Sequence, residues 1–121
     1  MIVLDANYIL RYLLQDHEVM SQEAKEVIVN EYCFLLNEVL AEVIYVLGGV
    51  YKIPKVVIAE TLLVFVQFEN MKMHEPKSII IEALTLYKEL NLDFVDCCLC
   101  AMKDHFEVKS FDKKLMKCVN R

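Results

Sequence analysis

Met1-Ile2-Val3-Leu4-Asp5-Ala6-Asn7-Tyr8-Ile9-Leu10-Arg11-Tyr12-Leu13-Leu14 opens the chain and decides how the rest is read. Residues 1–4 form a short, continuous apolar run, the pattern of a buried strand. Residues 7–14 place Ile9, Leu10, Leu13 and Leu14 on one helical face. Asp5 stands at the junction, at the carboxyl end of the strand. In an open α/β sheet, ligands bind outside those carboxyl ends.

The remaining sequence repeats this alternation. Ser21 is placed to cap a helix over 22–30, with Glu23 in its first turn. Residues 32–36 read as a second strand. Asn37 then caps a helix over 38–47, which Gly48-Gly49 ends. Pro54 opens a helix to about residue 68, and 71–74 read as a short strand. Pro76 opens a helix reaching residue 90, with Ile79, Ile80, Ala83, Leu84 and Tyr87 at helical spacing. Asp93 caps a helix over 94–105. Residues 107–111 read as the last strand and 113–119 as a closing helix. The expected fold is α/β: a short parallel sheet of about four to five strands with helices on both faces. The 121 residues suffice for one domain, 1–121.

A hydrophobic fraction of 57% and a mean hydropathy of +0.37 are high for so small a chain. Part of the apolar surplus is expected on a surface that meets a partner. No apolar run reaches the roughly 18 residues of a membrane span, and the first residues lack the basic start of a secretory signal. Five cysteines without such a signal point to free thiols in the cytoplasm. The net charge of −5 is uneven. Residues 103–121 carry six basic side chains against three acidic ones, a local +3, and the other 102 residues sum to −8. A basic tail beside an acidic cluster suits a polyanion.

Four acids stand where apolar segments end or turn: Asp5, Glu42, Asp96 and Asp112. Each has an ordinary explanation. Asp5 and Asp112 could be turn or capping residues, and Asp93 with Asp96 could stabilise a helix start. Glu42 sits among Val39, Leu40, Val43, Ile44, Val46 and Leu47, where a carboxylate must find a partner or water. Glu38, one turn earlier, reads as a first-turn acid. If the strands are parallel neighbours, Asp5, Asp93, Asp96 and Asp112 share one end of the sheet. Like charges there raise each other's pKa, and a divalent cation relieves the conflict. Oxygen-only ligands suit Mg²⁺ or Mn²⁺.

Four stretches, in order, carry a family resemblance. They are residues 2–13, Ala41-Glu42-Val43-Ile44-Tyr45-Val46-Leu47, Asp93-Phe94-Val95-Asp96-Cys97-Cys98-Leu99-Cys100-Ala101 and Ser110-Phe111-Asp112-Lys113-Lys114-Leu115. The chain resembles PIN domains, in particular the VapC-like ribonuclease toxins of type II toxin–antitoxin pairs. The resemblance implies a metal-dependent endoribonuclease acting on RNA. It implies that Asp5, Glu42, Asp96 and Asp112 hold one or two Mg²⁺ or Mn²⁺ ions. Asp93 matches a further, less constant acid, and Asn7 and Ser110 match supporting polar positions. A small antitoxin protein and a homodimer are the implied partners. Ala6 departs from a usual Thr, and Cys97-Cys98 replace small or apolar residues.

Two other classes remain open on sequence. A haloacid-dehalogenase-type phosphatase also has an Asp after its first strand, but Asn7 stands where its second carboxylate belongs. A catalytically inactive PIN-fold interaction module would keep the fold without the chemistry. Cys97-Cys98-Leu99-Cys100 contains a C-x-x-C, yet Asp93 and Asp96 beside it would raise a thiol pKa, and packing by small thiols is the better account.

Overall fold

Three two-residue parallel strands and seven helices make up the α/β architecture of the computed structural model, which describes residues 1–121. In chain order these are β1 (Ile2–Val3), α1 (Ala6–Leu14), α2 (Glu18–Asn30), β2 (Cys33–Phe34) and α3 (Asn37–Gly49). They continue as α4 (Lys55–Val66), β3 (Met71–Lys72), α5 (Lys77–Glu89), α6 (Phe94–Ala101) and α7 (Lys113–Val119). No helix is long and apolar enough to cross a membrane. The residues divide into two units, Met1–Lys52 with Gln67–His74, and Ile53–Val66 with Glu75–Arg121.

The first unit holds the sheet, in the order β1-β2-β3. Ile2 lies opposite Cys33 and Val3 opposite Phe34, while Cys33 and Phe34 lie opposite Met71 and Lys72. β2, central in the sheet, reads Cys33-Phe34-Leu35, with Cys33 and Leu35 fully buried. β1 is an edge strand, with Ile2 38% and Val3 64% exposed, so the expected buried strand is corrected. It has one partner, and only Leu4 behind it enters the core. α1 packs against α2 and α3, and Ile9, Leu10, Ala24, Ile28, Leu40 and Val43 of these helices are buried. Asn70 ties this unit together. Its amide donates to the Ile28 carbonyl at 2.7 Å and the Glu31 carbonyl at 2.6 Å, pinning the end of α2 beside the start of β3.

The helix starts differ from the sequence reading in instructive ways. α2 begins at Glu18, because His17, not Ser21, caps it. The His17 Nδ1 accepts the Met20 N–H at 3.1 Å, and the buried Ser21 hydroxyl accepts the His17 N–H at 3.2 Å. Two groups thus satisfy each other's end of the first turn, in the manner of a capping box. Asn37 is the first helical residue of α3, not its cap, and the helix runs through Gly48-Gly49 to Val50. Shifts of this size at helix ends are ordinary.

The second unit is helical. α5 packs against α4 and α6, and α6 against α7. α4 is apolar apart from Lys55, Glu60 and Thr61, with Ile58, Leu62, Phe65 and Val66 buried. α6 ends at Ala101, four residues before the expected end, and turns closed by the Met102 carbonyl, accepting from His105 and Phe106, follow it. Two expectations fail here. Residues 107–111 form no ladder, which leaves three strands and not four or five. The segment still alternates, with Val108 and Ser110 half-buried and Glu107, Lys109 and Phe111 exposed, but alternation without a partner does not make a strand. Cys100 and Cys118 are joined by a disulfide, so the expected set of free thiols shrinks to Cys33, Cys97 and Cys98. Their Cα atoms are 6.0 Å apart because α6 and α7 pack side by side, a juxtaposition that their separation in sequence does not reveal.

Lys55 positions the entry to α6. Its ammonium donates to the Leu90 carbonyl at 2.9 Å and the Leu92 carbonyl at 2.8 Å, and lies 4.3 Å from the centre of the Tyr87 ring. Those carbonyls belong to the three-residue turn that delivers Asp93. Lys55→Met should therefore cost roughly 1.5–3 kcal/mol, the range for hydrogen bonds from a charged donor. Urea titration of the variant checks this, and a midpoint within error of the parent would show that the turn holds itself.

Candidate metal and catalytic site

An α-helix leaves its first N–H groups without internal partners, and a short oxygen acceptor just before it satisfies one of them. Three of the acids do this. The Asp5 Oδ1 accepts the Tyr8 N–H at 2.9 Å at the head of α1. The Asp93 Oδ1 accepts the Asp96 N–H at 2.8 Å at the head of α6. The Asp112 Oδ1 accepts the Leu115 N–H at 3.0 Å at the head of α7. Asp112 is itself held, since its N–H donates to the Ser110 hydroxyl at 3.0 Å. The capping role is thus real for Asp5, Asp93 and Asp112. It does not compete with ligation, because an ionised carboxylate has about four lone-pair sites and each cap uses only Oδ1.

Glu42 and Asp96 lie inside helices. Glu42 is exposed on α3, in line with exposed Glu38 and Tyr45, while Leu40, Val43, Ile44 and Leu47 are buried. The helix is less uniformly apolar than its sequence suggests, and Glu42 faces water at no burial cost. Asp96 is half-buried in the first turn of α6. Asn7 is exposed in the first turn of α1.

None of these acids is neutralised by a side-chain cation. The ion pairs are Arg11–Asp16 at 3.0 Å, Lys88–Glu60 at 3.2 Å and Lys109–Glu107 at 3.3 Å. Arg11, the nearest base in sequence to Asp5, also donates to the Tyr51 hydroxyl at 3.2 Å and is committed. The consequence is visible at Asp96. Burial, then the charges of Asp93 and Asp112, hold its carboxyl above the usual carboxylate range. Negative charge is therefore concentrated around Asp96 within the second unit.

Asp5, Asn7 and Glu42 belong to the first unit, and Asp93, Asp96, Ser110 and Asp112 to the second. The structure gathers no group of three Asp, Glu, His or Cys side chains that could hold a metal ion. The donor chemistry still suits a hard cation: oxygen only, without basic partners, and at Asp5, Asp93 and Asp112 fixed at one oxygen by a backbone N–H.

Several residues near these acids were not singled out by the sequence. Tyr8 borders Asp5 across a groove of about 450 Å³ that Leu4 and Val27 also line. Its phenol pKa is raised by burial and by the neighbouring Glu23 carboxylate, with which it shares a hydrogen bond. Lys55 acts on the turn before Asp93, as described above. Neither has a local sequence signal, since each depends on an element distant in the chain. The C-x-x-C offers no redox pair. Cys100 is bonded to Cys118, and burial pushes the Cys97 thiol up to about 12.

The family model described as PIN domain matches residues 2–116, nearly the whole chain. No curated protein and no solved structure matches. PIN domains are generally metal-dependent nucleases, and the match leaves the phosphatase reading without support.

Two predictions follow from this electrostatic arrangement. A carboxyl raised on folding binds its proton more tightly in the folded state. Folding stability is therefore lost as pH rises from the ordinary carboxylate range, near about 3.9, through the raised value. In chelator, Asp96→Asn should melt above the parent at pH 7, with the gap fading below roughly pH 4. Equal melting at both pH values would show that Asp96 carries no charge strain. At Asp112 the cap and the charge separate. Asp112→Ala should lose about 1 kcal/mol with the missing cap. Asp112→Asn keeps an acceptor, sheds the repulsion and should be at least as stable as the parent by metal-free melting.

Proposed function

We propose that this chain, which belongs to the PIN-domain family, is a metal-dependent endoribonuclease that hydrolyses RNA phosphodiester bonds. In this reading Asp5, Glu42, Asp96 and Asp112 supply the carboxylates of the metal site, with Asp93 as an additional acid. The observation that carries it is the way the acids are satisfied. Asp5, Asp93 and Asp112 are held by backbone N–H groups, and none of the five acids has a cationic partner, although the chain has thirteen Lys and Arg side chains to offer. Burial first, and then the charges of Asp93 and Asp112, hold the Asp96 carboxyl above the usual carboxylate range, and a divalent cation bound there would offset that cost.

A divalent ion at these residues, one or two of Mg²⁺ or Mn²⁺, supplies activation of water and neutralisation of charge on the phosphoryl oxygens. The chain's own part is positional. Each N-cap bond fixes its carboxylate at Oδ1, leaving Oδ2 as an uncommitted acceptor. The Ser110 hydroxyl fixes the backbone of Asp112. Asn7, exposed in the first turn of α1, would serve in this reading as a supporting polar group near Asp5 in the chain. Asp93 keeps negative charge next to Asp96, which strengthens the preference for a cation over a second basic side chain.

The toxin role, with a small antitoxin and a homodimer as partners and the cytoplasm as the place of action, belongs to the same proposal. Its support is the exposed apolar surface of α4, where Val56, Val57 and Val64 are 46%, 49% and 63% exposed. Ile58, in the same helix, is core at 1% exposure and is not part of that surface.

Asp5→Asn and Asp96→Asn should fold and lose Mn²⁺-dependent RNA cleavage by more than roughly a hundredfold. Loss of an outer-shell partner alone reaches the lower part of that scale. Glu38→Gln, one turn from Glu42 on α3, should cleave like the parent. Gel analysis of an RNA digest with and without chelator gives the readout, and full activity in both Asp variants would remove these residues from the site.

A further inference from the structure

α7 is seven residues long and buries only Leu115 and Cys118. A helix that short does not stand by itself in water, so its neighbour α6 must hold it. The disulfide to Cys100 ties its last turn to the end of α6. Lys103, just beyond α6, adds a hydrogen bond from its ammonium to the Cys118 carbonyl at 3.4 Å. At the other end Asp112 caps α7, and its charge reaches Asp96 in the first turn of α6. The two helices thus each carry an acid at the start and are joined covalently near the finish.

One groove reaches this bond from a single side. It encloses about 310 Å³, and its walls include Leu90, Leu92, Lys114, Lys117, Cys118 and Arg121. Cys100 does not border it, and neither does any Asp or Glu side chain. Lys114, Lys117 and Arg121 are exposed and take part in none of the ion pairs. A cationic rim concentrates anions. It also favours the thiolate, the form of a thiol that attacks a disulfide. Cys118 is only 3% exposed, but it lies in the last turn of α7, and helix ends open locally.

We propose that Cys118 is a thiol-exchange site, attacked through this groove by small carboxylate-bearing thiols, and that opening its bond to Cys100 releases α7 and with it Asp112. In the first step the incoming thiolate bonds to the Cys118 sulfur. The bond between Cys118 and Cys100 breaks, and Cys100 leaves as a thiolate that takes a proton from water. A second thiolate then attacks the mixed disulfide at the sulfur of the first. The two depart as a small disulfide, and Cys118 is left as a thiol. The electrons that reduce the protein therefore come from the two small thiols. The cytoplasm, where the proposed function places the chain, holds such thiols. The exchange chemistry stands apart from the nuclease reading, and only its effect on cleavage rests on that reading.

The full chain, oxidised and kept in chelator, is treated with reduced glutathione, a net anion, or with cysteamine, a cation. Alkylation and peptide mass mapping follow the bond, since cleavage after lysine separates Cys118 from the other cysteines. Relative to their rates with a small exposed disulfide, glutathione should be favoured about tenfold, and its first adduct should sit on Cys118. Salt at about 1 M, or Lys114→Gln combined with Lys117→Gln, should erase that preference, and the double variant should melt like the parent. On reduction, amide hydrogen exchange across 113–119 should rise by roughly tenfold or more, and exchange across 77–89 should not. A bond that opens only in denaturant, a first adduct on Cys100, no preference for the anion, or α7 exchange indifferent to reduction overturns the proposal. So does a chain whose Cys100 and Cys118 stay unbonded under a disulfide-forming oxidant. With excess thiol removed, the reduced chain should lose at least about tenfold of its Mn²⁺-dependent cleavage. Release of α7 with cleavage unchanged would remove Asp112 from the metal site and leave the exchange site standing. No cleavage in either redox state would sink the nuclease reading alone.

Discussion

The unpaired N–H groups at a helix start demand an oxygen, and in this chain the demand is met three times by aspartate. Asp5, Asp93 and Asp112 each precede a helix and accept from the residue three further on. A Ser or Asn would cap as well. Aspartate adds a full negative charge, favoured locally by the helix dipole, and leaves a second oxygen free. The same choice of residue therefore starts three helices and stations three carboxylates. The helix start stabilises each charge singly, while the accumulation of charge around Asp96 opposes it.

Element identity was legible in the sequence wherever the apolar period was long. All seven helices were expected, and Asp5, Asp93 and Asp112 at their starts were readable because a cap is a local device. Reading failed where the answer lay in a distant element. Residues 107–111 have the alternation of a strand, but a strand exists only through its ladder, and whether a neighbour is present is not written in five residues. The exposed state of Ile2 and Val3 has the same origin, since β1 lies at the edge of the sheet. Ser21 looked like a cap because its hydroxyl is suited to one. His17, four residues earlier, supplies an acceptor just as well, and the serine turns inward to complete the pair.

The candidate site divides in the same way. Its residue types could be read, because few roles other than capping and metal binding suit isolated acids at segment ends. The state of each acid could not. Glu42 looked as though it sat in a wholly apolar helix, yet α3 turns a narrow polar side to water with Glu38 and Tyr45. Lys55 gave no sign of function, and its contacts with the Leu90 and Leu92 carbonyls fix the turn before Asp93. The cysteines gave the least away. One pair is bonded across α6 and α7, while Cys97 is buried, and burial raises its thiol pKa.

The segment 107–111 links the tail to the acids. Val108 and Ser110 are half-buried, while Glu107, Lys109 and Phe111 are exposed. The Ser110 hydroxyl accepts the Asp112 N–H at 3.0 Å, and the Asp112 Oδ1 accepts the Leu115 N–H at 3.0 Å. The serine therefore holds the backbone of the residue that starts α7, and a local pair of hydrogen bonds does here what a ladder would do for a strand.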